Sequence, residues 1–272
     1  MKEPGVVRAI AFLDSIHAGS KYAVWPADFE TEDGNKIGQN AAQIKLWDYW
    51  RMFWDECEKV EVDTVVVMGE YIDGINKAEG GDDELSTNLG EQKRGAIQLF
   101  EPYIIPCGRK LYGITGSSYH VKADTLSLDK EITESLGGEH CGYVLDCKFA
   151  PSEKTFNISH FHSDTMYKAT GLYREMEDMK KAEGLGILPM EHCDVVCRGH
   201  VHYSLVIHEH GIAGFLVPGW KIYHVIKGRV DRFGRRIPKI GGVIVRITED
   251  DRLRIWPELY PTPHLLGLLT AA

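Results

Sequence analysis

Five hydrophobic runs in this sequence end directly in histidines or carboxylates, and this repeated pattern constrains the fold more than any other feature. The last run, residues 193–197, leads into Gly199-His-Val-His202. The four earlier runs lead into residues 14–19, 69–74, 116–120 and 160–162. Polar side chains at the carboxyl ends of strands meet at one edge of an α/β sheet, where such folds bind ligands. The sequence therefore predicts one site built from all five segments.

Strand and helix signals alternate as far as residue 199, and short strands follow one another beyond it. Apolar residues at helical spacing predict helices over residues 41–60, 85–99, 123–136 and 169–183. The second of these is expected to end before Pro102 or Pro106, and a hairpin is predicted over residues 143–159. Later strands are predicted at residues 204–209, 212–217, 221–227, 242–248 and 252–256. Trp47, Trp50 and Trp54 follow the helical spacing and are predicted to anchor the core.

The charge balance argues against nonspecific binding to nucleic acid. The chain has 31 Lys plus Arg and 40 Asp plus Glu, a net charge of −9. Affinity for polyanions comes mainly from neutralised phosphates, although a basic groove at one place is compatible with this balance. A length of 272 residues suffices for one large α/β domain. We predict a single domain over residues 1–272, in which residues 203–272 are mostly β and complete the second sheet.

Cysteine usage and the amino-terminal residues predict a cytoplasmic protein. The six cysteines include no Cys-x-x-Cys pair, and Met-Lys-Glu-Pro-Gly at the start has no apolar signal region. Cys193 and Cys197 flank a strand core and are predicted to be buried small hydrophobic residues rather than zinc ligands. No apolar stretch approaches the roughly 20 residues of a membrane span, so we expect no membrane partner.

The ligand-bearing segments resemble, in the same order, the motifs of the calcineurin-like metallophosphoesterase superfamily. Those motifs read Asp-x-His, Gly-Asp-x-x-Asp, Gly-Asn-His, a later His and Gly-His-x-His, and here they span residues 14–202. Residues 116–120 and 167–170 resemble the branch found in phage and archaeal genomes. The resemblance implies an α/β/β/α sandwich, in which two stacked mixed sheets are flanked by helices.

The resemblance also implies a site for two divalent metal ions. One ion would be held by the first motif and His202, the other by His160 and His200, and Glu70 would bridge them. The predicted metal ligands are Asp14, His17, Glu70, His160, His162, His200 and His202. His120 is implied to protonate the leaving oxygen or to steady the phosphate. Mixed histidine and carboxylate ligands suit Mn²⁺, Fe or Zn²⁺ better than Mg²⁺.

Several positions depart from the family pattern. Asp14 precedes His17 by three residues instead of two, so either Asp14 or Ser15 takes the ligand position, and we favour the carboxylate. Glu70 replaces the bridging aspartate. Ser117 and Ser118 stand where an asparagine is expected, which predicts a weaker second metal site.

Two further residues keep two interpretations each. His160 leaves the strand first and is preferred as the ligand; His162, although it is among the predicted metal residues, either supports a ligand or faces the substrate. Asp73 either orients a ligand or caps the turn before Gly74.

These observations predict a metal-dependent phosphoesterase that hydrolyses a phosphomonoester or phosphodiester with a metal-activated hydroxide. One alternative is a nuclease, with a nucleotide or nucleic acid as the partner, for which the basic run of residues 221–239 would be a phosphate-holding arm rather than a solvated loop. The other alternative is a degenerate scaffold that keeps the fold and binds a partner. Metal content and turnover of a phosphodiester distinguish the enzyme from the scaffold.

Overall fold

The computed structural model describes residues 5–75, 83–117, 126–162, 168–188, 192–209, 211–222 and 238–263. Its helices are α1 (Ala41–Lys59), α2 (Leu89–Ile104), α3 (Leu126–Ser135) and α4 (Lys168–Gly184). Its strands are β1 (Val6–Leu13), β2 (Phe29–Glu30), β3 (Lys36–Ile37), β4 (Thr64–Val67), β5 (Lys110–Gly113), β6 (Glu139–His140), β7 (Val144–Lys148), β8 (Thr155–Ser159), β9 (Val195–Arg198), β10 (Leu205–Glu209), β11 (Ile212–Leu216), β12 (Ile240–Thr248) and β13 (Leu253–Tyr260).

The strands form two large mixed sheets and one small hairpin. The first sheet has the order β13-β12-β1-β4-β5-β6, with parallel pairing from β1 through β6 and antiparallel pairing of β12 with its two neighbours. The second has the order β10-β11-β9-β8-β7, with parallel β8, β9 and β11 between two antiparallel edge strands. β2 and β3 pair separately. The parallel strands at the centre of each sheet carry the site segments at their carboxyl ends.

Three hydrophobic clusters define the layers. Alternate residues of β1 point to opposite sides: Ala11 joins the cluster beneath α1 and α2, whereas Phe12 joins the cluster between the sheets. Phe156 and Phe215 of the second sheet meet Phe12 there. A third cluster packs α4 on the far side of the second sheet. The order is helices, sheet, sheet, helix, so the predicted α/β/β/α sandwich is confirmed.

The tryptophans of α1 anchor the first helical layer. Asn40 caps the helix by accepting a hydrogen bond from the backbone of Gln43, whose side chain accepts one from the backbone of Asn40 in return. Trp50 and Trp54 are fully buried, and Trp50 donates to the carbonyl of Leu99 in α2 at 3.1 Å. Trp47 is half-buried against the same cluster. The core role predicted from their spacing is confirmed.

The second helix differs from its prediction at both ends. α2 begins at Leu89, where the side chain of Asn88 accepts a hydrogen bond from the backbone of Gly90. It continues through Pro102 to Ile104, although the proline was expected to end it. Only two helical residues follow the proline, and Ile104 is buried in the first cluster. Burial of that residue outweighs the single backbone hydrogen bond that proline removes.

The carboxyl-terminal strands are divided between the sheets. β10 and β11 lie in the second sheet, whereas β12 and β13 lie in the first, beside β1. The prediction that residues 203–272 complete the second sheet is therefore wrong for β12 and β13. Of the strand predicted over residues 221–227, the structure describes Lys221, which bridges to Ala23, and Ile222. None of the described helices is long and apolar enough to cross a membrane.

Candidate metal centre

The loops that follow β1, β4, β8 and β9 converge between the two sheets. They contribute His17, Glu70, His160, His200 and His202. The first two come from the first sheet and the three others from the second. Two groups of three ligand-type atoms result, and Glu70 belongs to both of them.

The first group contains His17, Glu70 and His202. Nε2 of His17 lies 3.1 Å from Oε2 of Glu70 and 3.3 Å from Nε2 of His202. The second group contains Glu70 with His160 and His200. Nε2 of His160 lies 3.2 Å from Oε1 of Glu70 and 3.2 Å from Nδ1 of His200. Each carboxylate oxygen of Glu70 therefore serves a different group.

These separations fit a shared metal ion. Ligands bound tetrahedrally to a transition metal at about 2.1 Å lie about 3.4 Å from one another. Four of the distances between donor atoms are 3.1 to 3.3 Å, close to that value, whereas Nδ1 of His200 lies 4.0 Å from Oε1 of Glu70. This is also the grouping that the motifs predicted for the two histidines of Gly-His-x-His. The role of these residues as ligands stays a prediction.

In each group, one histidine contacts a buried carboxylate through its Nδ1 atom. Oδ1 of Asp73 lies 2.8 Å from Nδ1 of His17, and Oδ1 of Asp14 lies 2.8 Å from Nδ1 of His160. Such a carboxylate fixes the orientation of an imidazole and makes its other nitrogen a better ligand. Asp73 also accepts a hydrogen bond from the ammonium group of Lys221 at 2.7 Å. The geometry supports an orienting role for Asp73, one of the two roles left open by the sequence.

Asp14 occupies a different place from the one predicted. Besides His160, its carboxylate accepts hydrogen bonds from the hydroxyl of Ser15 at 2.6 Å and from the backbone of His200 at 2.8 Å. A Cβ atom at Gly199 would lie 2.4 Å from the Cγ of Asp14, which explains the glycine of the motif. Both carboxylate oxygens of Asp14 are therefore occupied by these contacts. Asp14 contacts the Nδ1 atom of His160 and belongs to neither group of donor atoms. This geometry is that of an orienting residue, and the ligand role of Asp14 stays a prediction.

The loop that carries Glu70 is held by Asp129 of α3. This fully buried carboxylate accepts hydrogen bonds from the backbone N–H groups of Tyr71 at 3.2 Å and Gly116 at 2.9 Å. Ser117 donates its hydroxyl to Oε1 of Glu70. Asp129 has no signal in the sequence, because a single aspartate on an amphipathic helix has the pattern of a solvated face. Its contact with Tyr71, 58 positions away in the chain, depends on tertiary packing.

Backbone strain is concentrated at this centre. Positive φ angles occur at Ser15 (50°), His17 (52°), Glu70 (54°), His200 (68°) and His202 (47°). Among the described non-glycine residues only two others, far from the centre, share this left-handed conformation. The conformation is costly for a residue with a side chain, and such strain clusters at functional sites. These loops therefore hold their side chains in positions that local preference alone would not give.

The electrostatics of the centre favour a cation. Burial alone would lower the pKa of His160, but the carboxylates of Glu70 and Asp14 hold that pKa well above its ordinary value. Burial likewise opposes a charge on Glu70, yet His160 and His17 hold its pKa well below the ordinary value. Asp73, despite its burial, has a lowered pKa because of His17 and Lys221. Three buried carboxylates among histidines form a pocket that suits positive charge.

The remaining predicted residues lie apart from the two groups or outside the described residues. Nδ1 of His162 lies 2.8 Å from Oε1 of Glu175 on α4, and Glu175 also receives Nε of Arg198 at 2.5 Å. His162 is therefore not placed in either group of donor atoms, which differs from its predicted ligand role. Glu175 and Arg198 were not singled out by the sequence analysis. His120 and Ser118 lie outside the described residues.

Comparison with known proteins finds similar solved structures at low sequence identity. No protein-family model matches the sequence, and no curated protein matches it at a significant level. An archaeal phosphodiesterase is 13% identical, with 92% of this chain and 99% of the other covered and a TM-score of 0.45. A dimetal phosphatase from Danio rerio is 10% identical, with 93% and 96% covered and a TM-score of 0.48. Vps29 from Entamoeba histolytica, complexed with zinc, is 9% identical, with 93% and 99% covered and a TM-score of 0.39.

At such low identity and with TM-scores below 0.5, these similarities do not assign a function to the chain. What the centre binds depends on its own residues.

Proposed function

We propose that the chain is a metal-dependent phosphoesterase whose centre holds two divalent ions bridged by Glu70. The observation that carries the proposal is the position of Glu70, with Oε2 3.1 Å from His17 and Oε1 3.2 Å from His160. One carboxylate shared by two histidine groups suits a pair of metals better than a single one. The choice among Mn²⁺, Fe and Zn²⁺ rests on the donor set.

The residues divide the work between holding and orienting. His17 and His202 would hold one ion, and His160 and His200 the other, with Asp73 and Asp14 fixing the first histidine of each pair. Two bound divalent ions lower the pKa of water and neutralise charge on a phosphate ester. Ser117 donates a hydrogen bond to Glu70 and so helps to hold its carboxylate in place. His120 remains the predicted proton donor to the leaving oxygen.

For the nuclease alternative, the described structure pairs Lys221, the first residue of the basic run 221–239, with Asp73 at 2.7 Å, so this lysine serves the centre itself. The scaffold alternative would keep the groups of donor atoms without turnover, so activity decides between them.

The test is hydrolysis of bis-p-nitrophenyl phosphate by the full chain, measured after metal removal and after reconstitution with Mn²⁺, together with metal content. We expect turnover that requires metal. Glu70→Gln should lower turnover by more than the roughly 10- to 100-fold that loss of a supporting residue costs, whereas the exposed His208→Ala should leave it unchanged. Metal-loaded protein that binds two ions and cleaves no phosphate ester would refute the enzyme and favour the scaffold.

A further inference from the structure

An exposed aromatic pair borders the candidate metal centre. Phe161 is 45% exposed and Tyr143 is 50% exposed. Their ring centroids lie 6.5 Å apart, with the ring planes 33° from parallel. Neither ring belongs to the hydrophobic clusters formed by the described residues. Core packing therefore does not account for two large aromatic side chains at this place.

The hairpin of β7 and β8 brings the two rings together. Val144, the first residue of β7, pairs with Ser159, the last residue of β8. Tyr143 and Phe161 consequently lie at the same end of this pair of strands, at the edge of the second sheet. The hydroxyl of Ser159 accepts a hydrogen bond from the backbone of Phe161 at 3.3 Å, which helps to hold the aromatic residue in position.

The pair lies beside the partly exposed histidine of the centre. His17, Glu70 and His160 are buried, whereas the side chain of His200 is 34% exposed. The ring of Phe161 lies 6.2 Å from the ring of His200 and 5.6 Å from that of His160. A phosphate held at the centre would therefore have the aromatic pair next to its ester group.

We propose that Phe161 and Tyr143 form a stacking platform for a nucleobase, so that the substrate is a nucleotide ester. This rests on the proposed phosphoesterase function and names its substrate class. A nucleobase is planar and lies one sugar away from its phosphate, and aromatic side chains bind bases by stacking without selecting among them. The net charge of −9 favours a single nucleotide over a long polyanionic strand.

The experiment compares two esters that have the same leaving group. Thymidine 5′-(p-nitrophenyl phosphate) carries a base, whereas methyl p-nitrophenyl phosphate has none, and both release p-nitrophenolate. For the Mn²⁺-loaded full chain we expect a higher kcat/KM with the thymidine ester. Phe161→Leu keeps apolar bulk without a π-face and should lower that value roughly 10- to 100-fold, while activity on the methyl ester stays within about 2-fold. Phe161→Trp should retain the preference.

Trp256 supplies a matched control, because it is 60% exposed on the edge strand β13, in the first sheet. Trp256→Leu removes an exposed aromatic ring of similar kind and should change neither ester. Metal content should equal that of the wild type in every variant. Equal kcat/KM for the two esters in the wild type, or equal losses for both esters in Phe161→Leu, would overturn the stacking platform and leave the phosphoesterase intact.

Failure of the proposed function has a different signature. If the metal-loaded wild type cleaves neither ester, the phosphoesterase is refuted, and equilibrium binding of thymidine 5′-monophosphate then tests the platform directly. Tighter binding by wild type and Phe161→Trp than by Phe161→Leu would support it, and equal binding would overturn it. Faster cleavage of single-stranded oligothymidylate than of the thymidine ester would overturn the assignment to a small nucleotide.

Discussion

At the scale of single residues, the centre depends on pairs of side chains in which one member would bind and the other orients. Asp14 with His160 and Asp73 with His17 are such pairs, each with a contact of 2.8 Å. Glu70 differs from these residues because its two oxygens face different groups. Substitution of one histidine should therefore affect one group, whereas substitution of Glu70 should affect both.

The two histidines of Gly-His-x-His give the most direct test of this division. His202→Ala should lose the ion shared with His17, and His200→Ala should lose the ion shared with His160, because each imidazole belongs to one group only. Metal content by mass spectrometry at saturating Mn²⁺ should fall from two ions to one in either variant. His208→Ala serves as control. Two ions retained in both variants would remove these residues from the centre.

Asp14→Asn separates an orienting role from a ligand role. If Asp14 orients His160, its loss should lower metal affinity about 10- to 100-fold, since the imidazole loses a strong hydrogen-bond acceptor but stays in position. Competition titration with a chelating dye measures this change in the affinity for Mn²⁺. Complete loss of one ion at saturating metal would instead restore the ligand role that the sequence predicted for Asp14.

At the scale of helices and strands, two carboxylates hold the ends of segments that carry the site. Asp129 on α3 accepts backbone hydrogen bonds from the loops that follow β4 and β5. Asp194, just before β9, accepts hydrogen bonds from the backbone and hydroxyl of Thr155, the first residue of β8, at 2.9 and 3.0 Å. Both contacts fix where a strand or loop of the site begins.

Asp194 gives a prediction for the pH dependence of stability. Burial alone would raise its pKa, but the hydrogen bonds from Thr155 and the charges of Lys154 and His192 lower it. The unfolded chain therefore binds the proton more readily, so the stabilisation is full above the ordinary carboxyl pKa of about 4 and is lost as the pH falls through the folded pKa.

Asp194→Asn should lower the free energy of unfolding by about 1 to 2 kcal/mol at pH 7, as measured by urea denaturation. The difference from wild type should shrink below about pH 4. Asp178→Asn, on the exposed face of α4, is the control. A difference that does not shrink in acid would show that the charge of Asp194 does not contribute.

At the scale of the whole molecule, the centre lies across the contact between the two sheets. His17 and Glu70 follow strands of the first sheet, and His160, His200 and His202 follow strands of the second. Ions held by both sets would connect the sheets at this edge, in addition to the hydrophobic cluster between them.

Metal binding should therefore stabilise the fold against heat. At Mn²⁺ concentrations about 100-fold above Kd, linkage predicts about 2.7 kcal/mol, which corresponds to a rise in Tm of roughly 5 to 10 °C for a chain of this size. Differential scanning fluorimetry of chelator-treated protein with and without Mn²⁺ measures it. The rise should be much smaller in Glu70→Gln. An equal rise in both proteins would place the stabilising ion elsewhere.

The sequence by itself determined most of the longer strands and helices and the residue types of the centre. A hydrophobic run ends where polar residues begin, so the segments that carry His17, Glu70, His160 and His200 could be placed at strand ends from local pattern alone. The helical spacing of Trp50 and Trp54 identified the buried face of α1 in the same way. These features depend on residues that are near one another in the chain.

The tertiary structure decided which of those residues meet. Asp14 and His160 are 146 positions apart, and their contact depends on how the first sheet stacks on the second. Local spacing suggested that Asp14 itself binds metal, because the sequence alone does not show its contact with His160. Asp129 carried no local signal either, since its hydrogen bonds depend on where α3 packs. Stacking of the sheets and packing of the helices fix these contacts, and both follow from burial summed over the whole molecule.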